Sequence, residues 1–483
     1  MESAMLRPFL LPTLLFGLSA CAPTPVSFVC LEDDPLCSLE EALQDLPPAV
    51  SVDIEHVAFY QVTEKMLLQD GSDVSDDGVS VAQGRDAVLR VFLSPTDTYE
   101  ERDLSVRVYL YQGDALVDAV IVTQNFKKEG SFSDLGSSFN LPIRGSAIGP
   151  DMGIAVEVLE ATNDADHPGI QGRNAWPEDS AFSVDTVVTG PLKIVMVPIE
   201  YNADNSGRLP NTEEDEMERF RQAFYGQYPA DEVLIRIADP QGTDIGIRNG
   251  WSALLGEVTG MRAAVGAEDD EYVYGLFSPG DDATGGTAGL CWVGYGPSDP
   301  GTKVCIGLSG SPSTAVHELG HSHGREHSPG CGAAGADPEY PESDGTLGVR
   351  AFDTTGNRIF EAATTYDFMS YCGPTWTGAH TWEKLVERVG AVNSIYGAYM
   401  QSAEYLTFVQ DEHGNTTSLG QQWISGEPAG LAVRVELIGS DGSVLANVVA
   451  RRIPMDHADG AMFRVIPPFG DTVVADIREV AWR

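Results

Sequence analysis

The chain has 483 residues, too many for one ordinary domain, and 42% of them are hydrophobic, enough to bury a core and to exclude global disorder. Lys and Arg total 29 against 72 Asp and Glu, a net charge of −43. That charge repels nucleic acid and anionic membrane surfaces, so neither is an expected partner, and its simplest role is to keep an exported protein soluble.

At the N-terminus, Arg7 precedes FLLPTLLFGL, an apolar run too short to span a bilayer and suited to a secretory signal. Glu2 stands where positive charge is expected, which makes Met5 an alternative start. The run ends in Leu18-Ser19-Ala20-Cys21, which looks like a bacterial lipobox. On that reading residues 1–20 are a lipoprotein signal peptide, Cys21 is lipidated, and residues 21–50, Pro-rich and acidic, are a tether. A plain signal peptide with Cys21 incidental is the alternative. Beyond Cys21 six cysteines remain: Cys30, Cys37, Cys291, Cys305, Cys331 and Cys372. An even number in an exported chain suggests disulfides, and sequence proximity favours Cys30–Cys37, Cys291–Cys305 and Cys331–Cys372 among the connectivities open to it.

Residues 51–189 hold short apolar runs such as VDIEHVAFYQV, AVLRVFL, LSVRVYLY and GIAVEVLEA, broken by turn residues. Their period of two predicts a β-sandwich. Between them DGSDVSDDG reads as a solvated turn. The pattern changes over residues 190–400. LKIVMVPIE predicts a buried strand, TEEDEMERFRQAFYGQY a helix with an acidic first turn, DEVLIRIAD a strand, WSALLGEVTGMRAAVGA a helix and YVYGLF a strand. Strands alternating with helices predict a mixed α/β sheet. Asp204, Ser206, Gly207 and Glu213 sit at offsets resembling a calcium loop, but Asn202 occupies its first position and no helix precedes it, so a Ca2+ requirement is unsupported. Residues 401–483 return to alternation (YLTFVQDE, LAVRVELIG, AMFRVI) and predict a small C-terminal β domain.

The chemistry concentrates in HELGHSHGREH, His317 to His327, with four of the nine histidines. It fits HExxHxxGxxH at every fixed position. Residues four apart share a helix face, so His317 and His321 can present two imidazoles to one ion, and Glu318 is placed to take a proton from metal-activated water. Gly324 can adopt the left-handed conformation that ends the helix and swings His327 round as a third ligand. Three neutral nitrogens leave the fourth position of a zinc ion open, which distinguishes a catalytic from a structural site. His323, six residues from His317, is off that face and is expected in solvent.

The zinc motif followed by YDFMSYC resembles the metzincin clan of zinc endopeptidases, over about Pro191 to Tyr396. The resemblance implies a Met-turn, with Met369, 42 residues after His327, beneath the histidines. Tyr371 matches the tyrosine that binds zinc and stabilises the oxyanion in astacin-like and serralysin-like members, whereas Ser328 resembles the matrixins, so the subfamily stays open. A β domain carrying GRDAVLRVF ahead of the protease resembles mucin-degrading metzincins of enteric bacteria. The clan fold implies an edge strand upstream of the zinc helix, TAGLCWVGYG or KVCIGLSG, on which a peptide substrate pairs. A Cys331–Cys372 bridge would then staple the loop after His327 to the Met-turn. The even cysteine count favours a local Cys30–Cys37 disulfide over either cysteine acting as a latency switch on the zinc, and an aspartate of the N-terminal region is left open as a blocking group.

The expected fold is thus an α+β metzincin-like catalytic domain flanked by N- and C-terminal β-sandwich-like domains. The expected function is a zinc endopeptidase acting on extracellular proteins or glycoproteins, with Glu318 as base, one Zn2+, a monomeric state and membrane contact only through the lipid anchor. The alternative from another class is a catalytically silent surface adhesin or binding protein, with a zincin-type amidase as a third option.

Overall fold

The computed structural model describes residues 42–127, 131–163, 167, 169–280, 286–395, 402–425, 428–466 and 477–482. The signal, Cys21, Cys30 and Cys37 lie outside the described residues. The described chain is α+β and rich in sheet. Among the described residues no helix is long and apolar enough to cross a membrane.

The alternating runs of the first third become two antiparallel sheets. One is centred on Val52–Tyr60 and Ala87–Pro95, the other on Arg102–Gln112 with Ala115–Phe126 and Met152–Glu160 on either side. Val57 and Leu89 of the first sheet and Val106 and Val156 of the second are buried in one core, as a period-2 pattern with one inward face requires.

The middle of the chain builds a sheet from β1 (Leu192–Tyr201), β2 (Val233–Ile237), β3 (Tyr272–Phe277), β4 (Gly289–Cys291) and β5 (Val304–Leu308), in the order β2-β1-β3-β5-β4. The first four of that order run parallel, and β4 is antiparallel at the edge. β1 is buried on both faces, which is why its sequence is a continuous apolar run. Leu192, Ile194 and Met196 meet helices α1 (Glu214–Gln227), α3 (Pro312–Ser322) and α4 (Ala379–Ile395). Val195, Val197 and Ile199 meet α2 (Trp251–Met261) through Leu254 and Val258. Helix α1 opens with Glu214, Asp215 and Glu216 against its positive dipole end and buries Met217, Phe220 and Phe224 at helical spacing.

Two further contacts knit the chain together. Arg85, from the GRDAVLRVF segment, is fully buried, donates to the Ala230 carbonyl at 3.1 Å and lies over Tyr225. The C-terminal six-stranded antiparallel sheet contains β6 (Val444–Pro454) and β7 (Ala461–Val465), and it sends Val409, Ile453, Met455 and Met462 into the core beneath α2. Its Arg464 pairs with Asp299 at 3.1 Å, both side chains 1% exposed.

Candidate metal centre

Helix α3 carries His317, Glu318 and His321, with Pro312 in its first turn. It ends at Ser322. Gly324 follows at φ 82°, where a Cβ would lie 2.5 Å from the Gly294 carbonyl oxygen, so only glycine makes this turn without displacing its neighbour. The chain reverses there and brings His327 back beside the other two histidines. Ring centroids lie 4.9 Å apart for His317 and His321, 5.4 Å for His317 and His327, and 4.8 Å for His321 and His327.

What fixes the rings is a set of backbone carbonyls. Nδ1 of His317 meets the Phe368 oxygen at 2.8 Å, that of His321 the Arg325 oxygen at 2.7 Å, and that of His327 the Ala334 oxygen at 2.7 Å. A carbonyl oxygen only accepts, so each Nδ1 carries the proton and each Nε2 presents a lone pair to the shared space. The Nε2 atoms of His317 and His321 face each other at 3.2 Å, and that of His327 is buried without a hydrogen-bond partner. Burial pushes the His317 imidazole down to about 3 and lowers His321 as well. The lowered, oriented imidazoles of His317 and His321, with His327 beside them, converge in a desolvated pocket as a donor set for a cation.

Phe368 and Met369 form the floor. Asp367, fully buried, accepts the Met369 N–H at 2.9 Å and the Gly378 N–H at 2.8 Å, which holds the turn. Met369 is 1% exposed beneath α3, and its carbonyl accepts the Ser328 N–H at 3.1 Å. The sulfurs of Cys331 and Cys372 are at disulfide distance and join the loop after His327 to this turn, and those of Cys291 and Cys305 join β4 to β5.

Glu318 is 2% exposed, and its Oε2 has no hydrogen-bond partner. Burial first, and then the nearby Asp456 charge, push its carboxyl well above the usual range. It faces Gly289, where a Cβ would stand 2.7 Å from Oε1, so the side chain of this one strand residue must be absent for Glu318 to sit there. Of the two sequence candidates for the edge strand, TAGLCWVGYG supplies it, since KVCIGLSG forms the interior β5. Tyr371 sits at the rim, its ring 4.6 Å from that of His327 and its hydroxyl hydrogen-bonded to His457 Nδ1.

Two residues in the cluster had no local signature in the sequence. Asp456 and His457 come from the turn between β6 and β7, and their ligand atoms, with those of the three histidines, all lie within 4.8 Å of one another. Asp456 Oδ2 is 2.8 Å from His321 Nε2 and 3.5 Å from His327 Nε2, and His457 Nε2 is 2.5 Å from the same oxygen. Burial opposes its ionisation, but the histidines around it, His321 foremost, hold its carboxyl well below the usual carboxylate range. Burial likewise opposes charge on His327, yet the Asp456 carboxylate raises that imidazole above its ordinary value. A carboxylate set against imidazole lone pairs requires positive charge between them, a proton or a metal ion, and the group can hold the latter. The acidic group at the histidines thus comes from the C-terminal part of the chain.

His323 corrects an expectation. It is fully buried, stacked on Tyr272 with ring centroids 4.4 Å apart, and its Nδ1 meets the Leu319 carbonyl at 2.8 Å. The helix side away from the metal face packs on the sheet instead of facing water.

Comparison of the chain with protein-family models gives no match, and comparison with curated proteins gives none either.

Proposed function

We propose that the chain is an exported zinc-dependent endopeptidase of metzincin type, with the central sheet and its helices as catalytic domain and the flanking sheets as accessory β domains. His317, His321 and His327 would hold the ion through Nε2, and a zinc ion there would supply a Lewis acid for a water molecule and for the scissile carbonyl oxygen. Glu318, desolvated beside His317, takes the proton of the attacking water and passes it to the leaving amine. Tyr371 donates to the developing oxyanion once its hydroxyl leaves His457. β4, the edge strand of the central sheet, receives the substrate backbone as an added strand once the C-terminal segment bonded to Cys291 and Val293 is displaced. The observation that carries this reading is the three carbonyl-anchored imidazoles with Glu318 wedged between α3 and β4.

Localisation follows the same proposal. Cysteine pairs at disulfide distance support an oxidising, extracellular setting, and lipidation at Cys21 would anchor the chain at the cell surface. Extracellular proteins or glycoproteins are the proposed substrates.

One observation favours the second reading, a silent binding protein. Asp456 adds a fourth protein donor, and four protein ligands are the mark of a structural zinc site. The two readings separate when the turn is removed. We would replace Met455–Gly460 by an Asn-Gly turn, which suits the Pro454–Ala461 pair, and compare it with the same chain carrying Glu318→Gln. The peptidase reading expects one zinc in both and casein cleavage falling at least ~100-fold in the Glu318→Gln chain. Zinc in both with cleavage by neither favours the binding protein.

A further inference from the structure

The edge of β4 is already paired. The Asp456 N–H donates to the Cys291 carbonyl at 2.9 Å, and the Val293 N–H donates to the Pro454 carbonyl at 3.2 Å. Trp292 and Met455 form an antiparallel bridge between them. These three pairs share one register, so a short strand from the C-terminal sheet lies along the edge that flanks the histidines. At its end the chain turns, and Asp456 reaches the histidines. Met455 is 4% exposed and packs in the same core as Trp292, which holds the segment by burial as well as by its backbone bonds.

We propose that Pro454–His457 is a built-in peptide ligand of the cleft, pairing with β4 as an extended peptide and giving Asp456 to the metal as its fourth protein ligand. The ligand role rests on the metal reading above; the backbone pairing does not. The two halves of the observation are independent. A turn that only happened to place an acid near the histidines need not run in register along the edge strand. A strand that only capped an open edge need not end in a carboxylate on the histidine nitrogens. Together they describe how the cleft binds an extended chain: antiparallel to β4, with an acidic side chain at the ion. With that position filled, the folded chain has no open site for water, so it is latent until the strap is displaced or cut.

The test uses the full chain, its Asp456→Ala and Asp456→Asn variants, and divalent cobalt as a coloured stand-in for zinc. Azide probes for an open position on the ion, chelator competition gives zinc affinity, and melting curves check that each variant folds. The proposal expects no change in the parent's cobalt bands on adding azide, a clear shift in Asp456→Ala, and at least tenfold weaker zinc binding by that variant. Asp456→Asn, which keeps the shape of the side chain and loses its charge, should fall between. If the parent's bands respond to azide and Asp456→Ala binds zinc as tightly as the parent, the strap is not a ligand, while the three-histidine centre stands. A parent that binds neither ion overturns the centre and the ligand role together.

Discussion

Serine substitution of both Cys331 and Cys372 releases the loop that carries His327 from the turn beneath the site. The cysteines are 41 residues apart. Closing a loop of that size removes ~13 cal/mol/K of entropy from the unfolded chain, or about 4 kcal/mol at room temperature. His327 depends on this loop directly: its ring is held by the Ala334 carbonyl, and its own carbonyl accepts the Asp337 N–H at 2.8 Å. The double variant should therefore lose about 2–4 kcal/mol of unfolding free energy in urea followed by tryptophan fluorescence. It should also surrender zinc to a chelator at least ~10-fold faster, because a ligand tethered to a looser loop is less pre-organised. A loss below about 1 kcal/mol, with unchanged zinc release, would refute the reasoning by showing that the loop is fixed by its other contacts.

Three more perturbations probe other parts of the molecule. Gly289→Ala puts a methyl group against Glu318 without touching a histidine, so in the chain with Met455–Gly460 replaced by Asn-Gly, casein turnover should drop at least ~10-fold while zinc content stays at one; unchanged turnover would separate Glu318 from the β4 edge. Asp299→Ala leaves the buried Arg464 guanidinium without its carboxylate, holding only the Thr407 and Gln422 side chains, and should cost about 3–5 kcal/mol, read as a fall in melting temperature. Burial, and then Arg262, hold the Lys303 ammonium down to about 8. The unfolded chain keeps that proton to about 10.4, so below pH 8 both states are charged and the fold carries the full penalty. Stability should then rise by about 3 kcal/mol as pH climbs through that window, a rise that Lys303→Met should flatten.

How much was legible depends on whether the signal was local. The run at Leu192–Tyr201 reads as a doubly buried strand because alternate residues feed two cores, and α1 announces itself through an acidic first turn and apolar residues at helical spacing. His317, His321, Gly324 and His327 are legible because helix periodicity and one positive φ bring them together within eleven residues. Asp456 and His457 are not, because MDHADG between two strands looks like any polar turn, and only the docking of Met455 and Met462 under α2 carries it to the histidines. His323 was misread because periodicity told which face it leaves but not that the opposite face is packed on Tyr272. Asp367 gave no warning either: a buried carboxylate that accepts two backbone N–H groups looks, in sequence, like an ordinary loop aspartate.

Imidazoles from His317, His321 and His327 together bind one zinc ion on the proposed reading. X-ray absorption at the zinc edge of the loaded full chain tests it most directly. The expected spectrum has a nitrogen and oxygen shell at about 2.0–2.1 Å with imidazole outer scattering and no sulfur shell near ~2.3 Å, and His321→Ala should lose its bound zinc. A zinc–sulfur shell, or zinc retained unchanged by His321→Ala, would contradict it.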